Sequence, residues 1–306
     1  MNWKLKGLIQ KGLCVVPGGR NVNDRLQRGV GELRHFERNV AAKVEDWRLS
    51  LRYLQEVDFD VRGKTLVEIG TGWHPALPIC FSLVGAKRVI TFDIVRHLDA
   101  DLTFRMIESL ESHLESIAHI CRNGGERVRR SFQELHEVSD IQTLLNRARV
   151  EYCAPTDARA TCLPPDSVDL VYSNSVMEHV PKDVILGLMR ESFRILRPGG
   201  LALHNVACND HYALMDPAIS SVNFLQFNES QWRMWNNALQ YQNRLRASEF
   251  LELATMGGLE VIYKQVAVRP GTYEALAKLE VAPQFKRFSS DDLAVTSVDF
   301  IAKRPD

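Results

Sequence analysis

Four short stretches hold side chains able to do chemistry together: Glu68-Ile69-Gly70-Thr71-Gly72, Asp93, Asp157-Ala158, and Asn174 through Glu178-His179. Two glycines one residue apart let backbone approach a ligand closely and offer unpaired N–H groups to it. An acid such as Asp93 can accept both hydrogen bonds of a ribose diol, and one such as Asp157 can accept from an adenine amino group. Together these groups suit a nucleoside that carries an amino acid. Three histidines, His179, His204 and His211, add groups fit for proton transfer near neutral pH. His204 falls inside a strand pattern and reads as a core histidine. His179 and His211 are the candidate bases, although His179 can equally cap its local turn. Asp210 or Asp216 lies close enough in sequence to orient the His211 ring.

The chain pattern places each of these residues just after a strand. Thr65–Ile69 is a β-like run ending in the glycine turn, residues 75 to 84 read as a helix stopped by Gly85, and Arg88–Phe92 is a second strand ending at Asp93. Strand, turn, helix and strand within about 30 residues make a βαβ unit with parallel pairing. Residues 150–154 and 168–173 supply strands three and four, a helix runs from Pro181 to Leu196, and 201–206 is strand five. Ser248 is the expected N-cap of a helix ending at Gly257-Gly258, and residues 259–268 and 295–302 close the chain as an antiparallel pair at the sheet edge. The expected fold is therefore α/β, a Rossmann-like doubly wound sheet of about seven strands with an antiparallel edge.

Around that sheet, residues 1–61 read as an N-terminal helical cap, with Leu33, Phe36, Val40, Val44, Trp47, Leu51 and Leu54 at helical spacing. Residues 62–306 form the main domain. Within it, 98–148 reads as an insertion of two helices and 207–245 as a polar and aromatic lid or acceptor loop.

Composition narrows the function. Lys plus Arg and Asp plus Glu both number 38, so the strongly basic field of a dedicated nucleic-acid enzyme is missing and no nucleic acid is expected as partner. The six cysteines never form CxxC or a Cys/His set at ligand spacing, which points to reduced thiols, a cytoplasmic setting and no metal site. No apolar run reaches membrane-spanning length. The N-terminus mixes lysines with apolar residues, a pattern that fits packing on the protein's own core or a weak peripheral contact with an anionic membrane.

The combination of VEIGTG at 67–72, TFD ending at Asp93, PTDARATCLPPDSVDLVYSNSVMEHV at 155–180 and LRPGGLAL at 196–203 resembles the class I S-adenosylmethionine-dependent methyltransferases. The likeness covers about residues 62–268. It implies S-adenosylmethionine as cofactor, with contacts at Glu68, Gly70 and Gly72, ribose contact at Asp93, and adenine contact at Asp157 and Ala158. Asn174, at the end of strand four, joins that set. The family often has a third glycine where this chain has His74. A dinucleotide loop would need a glycine at Pro75 as well, so hydride chemistry is disfavoured.

The whole segment from GTGWHPALP through NDHYALMDPAISSVNFLQFNESQWRMWNN resembles uncharacterised bacterial methyltransferases often associated with polysaccharide or lipopolysaccharide biosynthesis, and PGGRNVNDRLQRGVGELR fits the same likeness. The expected reaction is methyl transfer to a small-molecule or glycan acceptor, chiefly on oxygen, with His211 or His179 as base. Methylation of a nitrogen or carboxyl group, or a silent cofactor-binding scaffold, are the competing readings. Tyr212, Phe224, Phe227, Trp232, Trp235 and Tyr241 could face a sugar, or simply pack. Arg233, Arg244 and Arg246 could hold an acceptor's phosphate or carboxylate. The insertion could mediate a homodimer or close over the site.

Overall fold

The computed structural model describes residues 2–19, 22, 35–121 and 124–306. Seven strands form one sheet: β1 (Thr65–Ile69), β2 (Arg88–Phe92), β3 (Val150–Cys153), β4 (Val168–Asn174), β5 (Leu196–Ala207), β6 (Glu260–Ala267) and β7 (Ser297–Lys303). Their order is β3-β2-β1-β4-β5-β7-β6. Strands β1 to β5 are parallel, and β7 enters antiparallel between β5 and β6. The expected antiparallel edge is present. Strand order reverses between β1 and β4, so their carboxyl ends flank the crevice where such sheets hold ligands.

The strand sequences explain this placement. Leu66, Val67, Leu170 and Val171 are buried, with Leu66 opposite both Val89 and Leu170 in register. Such near-continuous apolar runs belong to strands covered on both faces. One face is covered by α2 (Phe36–Glu56), α3 (Ala76–Leu83) and four helices of the insertion, α4 (Ala100–Leu110), α5 (Leu114–Ile120), α6 (Gly125–His136) and α7 (Ile141–Arg147). Trp47 of α2 stacks edge-on against Phe81, which in turn meets Tyr172 of β4. The other face carries α8 (Lys182–Ile195) and α10 (Ala247–Met256).

The insertion holds four α-helices where two were expected. Asp99 caps its first helix, and a 3₁₀ turn at Glu111–His113 and the N-cap Asp140 each split one of the two expected helical segments. Helix α10 starts at Ala247 with Arg246 as its cap. Ser248 instead sits inside its first turn and donates to Asp292 Oδ2, which corrects the capping expectation. Leu33 and residues 23–34 lie outside the described residues.

A third apolar cluster joins α1 (Trp3–Val15) to the 207–245 excursion, which contains α9 (Glu229–Trp235), and to α11 (Thr272–Ala277) and α12 (Ser290–Ala294). The ends of the chain and the excursion thus share one core beside the carboxyl edge of the sheet.

Candidate active site

The glycine turn is required by geometry at both glycines. Gly70 has φ +81° and Gly72 φ +74°, both in the left-handed region that favours glycine. A Cβ on Gly70 would also lie 2.5 Å from Val176 Cγ2. That close approach sets the segment following β4 directly over the turn following β1. Gly72 N–H donates to Asp93 Oδ2 at 3.2 Å, and the Tyr152 hydroxyl donates to the same oxygen at 3.1 Å. Tyr152 is held by the backbone N–H groups of His97 and Leu98. Its place in the strand pattern of 150–154 gave no sign of this role.

Burial pushes the Asp93 carboxyl up to about 6, while Tyr152, Gly72 and Thr71 favour its charged form. Glu68 is buried more deeply. Desolvation and the charge of Asp93 raise it to about 8 against the pull of Thr71, Lys43 and Tyr172, so it is mainly protonated at pH 7. The turn therefore offers one neutral and one largely ionised acid at neutral pH, a division set by depth of burial.

Asp157 and Ala158 follow β3 and are half-buried. Both Asp157 oxygens meet the Arg159 guanidinium, with Nη2 to Oδ2 at 2.6 Å, and this partner holds the carboxyl below its ordinary range. Asn174 ends β4 and donates to Asp46 Oδ2 of α2 at 2.9 Å. His74 is buried under Phe36, with its Nε2 3.2 Å from Asn39 Oδ1, and burial lowers it to about 4. Ser50 and Tyr53 bond Asn205 and Asp299 in the same way. Asn39, Asp46, Ser50 and Tyr53 lie along one face of α2, a polar stripe that the apolar pattern of the helix concealed. Helix α2 is fastened through these residues to the carboxyl ends of β1, β4 and β5 and to the amino end of the antiparallel β7.

His179 and His211 come together, with ring centroids 4.9 Å apart and edge to face. His179 Nδ1 lies 2.7 Å from the Tyr241 carbonyl. Because a carbonyl oxygen only accepts, Nδ1 carries the proton, and in the neutral ring Nε2 holds the lone pair. Burial first, then the nearby His179 charge, lower His211 to about 3, which keeps its imidazole neutral. Glu178 beside them is buried, and desolvation raises its carboxyl. Ligand atoms of Glu178, His179 and His211 lie within 4.8 Å of one another, a nitrogen and oxygen set of a kind that first-row divalent ions take. His204 is wholly buried with Nδ1 2.8 Å from Ser173 Oγ, in keeping with a core histidine.

Three consecutive residues hold this pair, and of them only Tyr241 was expected near the site, through its ring and not through the backbone that makes the contact. The Tyr241 carbonyl fixes the His179 ring, Gln242 Oε1 accepts the His211 N–H, and Asn243 Nδ2 donates to the carbonyls of Met177 and Val180 at 2.7 Å each.

The structure decides three readings that were left open for the excursion. Asp210 accepts from Tyr212 N–H and Asn223, and Asp216 accepts from Ala218 N–H and from Trp3 N–H at the start of α1, so the carboxylates brace their own turns and, for Asp216, also α1, and neither bonds the His211 ring. Tyr212, Phe224 and Trp232 are buried, and Trp3 packs on Tyr212, Phe227 and Trp235, which makes these rings a core and not a sugar platform. Arg244 and Arg246 are buried and donate to the carbonyls of Phe224 and Cys208, while Arg233 is exposed. A cavity of about 770 Å³, lined in part by Asp60, Arg62, Val84 and Arg127, lies by the amino ends of β1 and β2, away from this site.

The sequence profile of a family described as "Methyltransferase domain" matches residues 36–264. No curated protein matches the sequence. Among solved structures, geranyl diphosphate methyltransferase in complex with SAM is similar at 16% identity and TM-score 0.49, over 88% of this chain and 90% of that one. Geranyl diphosphate C-methyltransferase from Streptomyces coelicolor A3(2) matches at 16% and 0.49, over 88% and 83%. Phosphoethanolamine N-methyltransferase 2 of Haemonchus contortus matches at 18% and 0.46, over 85% of this chain and 53% of that one. With three quarters of its length matched to the family profile, and with the glycine turn and strand-end acids in the places described, the chain belongs to the methyltransferase-domain family and is an S-adenosylmethionine-dependent methyltransferase.

Proposed function

We propose that this enzyme transfers the methyl group to a hydroxyl oxygen of a small-molecule acceptor, glycans included, and that His179 takes the proton. The observation that carries this is the His179 ring fixed by the Tyr241 carbonyl, which leaves Nε2 as an oriented proton acceptor. Glu68, Gly70, Gly72, Asp93, Asp157, Ala158 and Asn174 form the cofactor side. His211 and Glu178 shape the acceptor side, and the 207–245 excursion supplies its wall.

In the reaction the acceptor oxygen forms its bond to carbon as the sulfonium–carbon bond breaks, and the hydroxyl proton passes to His179 Nε2. A neutral hydroxyl is a poor nucleophile and gains from such a base. An amine lone pair or a carboxylate needs none, so the oriented histidine favours oxygen. The resemblance to polysaccharide-associated methyltransferases adds sugar hydroxyls as the first acceptors to try. The six cysteines are free thiols, which suits a reducing cytoplasmic setting.

The test is a labelled-methyl assay on cell extract and on a panel of sugars and phenols, with mass identification of the product. An O-methyl ether is expected, with turnover lowered about 10²- to 10⁴-fold by His179→Ala and cofactor affinity unchanged. A product methylated on nitrogen or carbon, or full turnover by the variant, overturns the reading.

A further inference from the structure

Helix α1 carries its large aliphatic residues on the side facing away from the protein. Its buried positions are Trp3, Gly7 and Gln10. Trp3 packs among Tyr212, Phe227 and Trp235, and a Cβ on Gly7 would meet the Tyr212 hydroxyl at 3.0 Å, so the helix lies flush on the excursion. On the opposite face Leu5 is 53%, Leu8 58% and Ile9 46% exposed. The helical period puts these three on one stripe with Gly12 and the C-cap Val16.

The stripe continues onto neighbouring residues. Leu214, Met215 and Met234 are exposed beside α1, where Lys6 Nζ touches Met215 sulfur and Lys11 Nζ reaches the carbonyls of Arg233 and Met234. Fourteen large apolar side chains are exposed among the described residues, and eight belong to α1, its C-cap and these three neighbours. Such a concentration marks an interaction surface and not the normal scatter of single residues.

Charge identifies the partner. Lys4, Lys6 and Lys11 border the apolar stripe, and α1 contains no Asp or Glu. An apolar face rimmed by lysines fits the boundary of an anionic bilayer, with the aliphatic side chains among the acyl chains and the ammonium groups at lipid phosphates. A second copy of the protein fits less well. A two-fold contact through α1 would bring the same lysines together with no carboxylate on the helix to offset them. No described helix is long and apolar enough to cross a membrane, so the contact is one of lying on the surface.

We propose that α1, with Leu214 and Met215 beside it, docks the enzyme on an anionic lipid bilayer. The docking face and the acceptor side share one short element, since the 3₁₀ turn His211–Leu214 begins at the site histidine and ends at an exposed leucine. Docking places the rim of the site at the lipid surface. This surface goes beyond the proposed reaction and does not depend on it.

Vesicle flotation tests the proposal, with phosphatidylcholine alone and with three parts phosphatidylcholine to one part phosphatidylglycerol. The native chain is expected to float with the anionic vesicles only and to release at high salt. The double variant Leu8→Glu/Ile9→Glu changes two exposed side chains, and its vesicle affinity should fall at least about tenfold. Circular dichroism melting and calorimetric titration with S-adenosylmethionine on the same samples check that the variant is folded, and report the methyltransferase reading separately. Absence of flotation with anionic vesicles overturns the proposal, as does equal flotation of the variant. A native dimer that the double variant turns into a monomer, without vesicle binding, assigns the face to a second copy and overturns it too.

Discussion

As the proposed ribose acceptor, Asp93 should make cofactor affinity depend on pH in a direction fixed by its surroundings. Its two side-chain hydrogen bonds, from Gly72 N–H and Tyr152, both fall on Oδ2, leaving Oδ1 to accept from a ribose hydroxyl. Only the ionised form accepts at full strength. With the carboxyl raised to about 6 by burial, it is ionised in roughly one molecule in 11 at pH 5 and in most molecules at pH 7. Affinity for S-adenosylmethionine should therefore rise about tenfold from pH 5 to a plateau near pH 7, which is about 1.4 kcal/mol. Glu68, raised to about 8, stays mainly protonated across this interval and adds little slope. Asp93→Asn keeps the shape and removes the charge. Hydrogen bonds to charged groups contribute about 1.5–3 kcal/mol, so affinity at pH 7 should fall roughly 10- to 150-fold and the pH slope should flatten. Calorimetric titration from pH 5 to 7 measures both effects. A flat native profile, or an Asn variant that keeps the slope, refutes the assignment of Asp93 as the titrating ribose acceptor.

Glu68 yields a stability prediction. Its folded pKa is raised from 4.5 to about 8, so the folded state holds a proton that the unfolded state has already lost, and stability drains away as pH climbs between those values. The loss between pH 5 and 7 is roughly 2–3 kcal/mol, and urea melts of Glu68→Gln should show a shallower decline and stability at pH 7 no lower than native. A Gln variant clearly weaker at pH 7 would mean that the ionised carboxylate supports the fold. Asn243→Ala removes two hydrogen bonds to the turn that carries His179, so it should cost roughly 2 kcal/mol of stability and lower kcat much more than cofactor affinity. Equal losses in kcat and cofactor affinity would argue against a clamp specific to the acceptor side. Direct proton transfer to His179 predicts that exhaustive chelation leaves turnover unchanged. Activity lost to the chelator and restored by zinc or manganese would make the Glu178, His179 and His211 group a metal site and end the role of His179 as free base.

The sheet was legible because its signals are local. Apolar runs at 65–69, 88–92 and 168–173, each followed by glycine or a polar residue, locate strands β1, β2 and β4 to within a residue. The catalytic arrangement was less legible because it depends on contacts distant in sequence. Asn39 meets His74 and Asp46 meets Asn174 across 35 and 128 residues, and Asn243 reaches Met177 across 66. Short spacing suggested Asp210 and Asp216 as orienting groups for His211. Both were claimed by nearer backbone donors, since an unpaired N–H in a tight turn is the stronger local demand. Arg244 is likewise taken up inside the excursion, where its guanidinium donates to the carbonyls of Phe224 and Phe227 and pairs with Glu229.

The residue standing in place of the family's third glycine ties these observations together. A glycine at position 74 would leave the end of the turn without a side chain, whereas His74 fills that point and carries the contact to Asn39 and Phe36 of α2. Its neutral imidazole can remain in this apolar setting without a buried charge. Two residues earlier in the turn, Gly72 bonds Asp93, so the contact to Asp93 and the contact to α2 are separated by a single residue, Trp73. Asp46 repeats the link from the same helix to Asn174 at the end of β4. Ordering the turn around a ligand must then also restrict α2, and displacing α2 must loosen the turn, because the same short backbone supplies both contacts. Helix α2 is thereby joined both to the glycine turn and to the end of β4. Its polar stripe is the physical reason, since the apolar face alone would secure the helix to the core without registering it on the site.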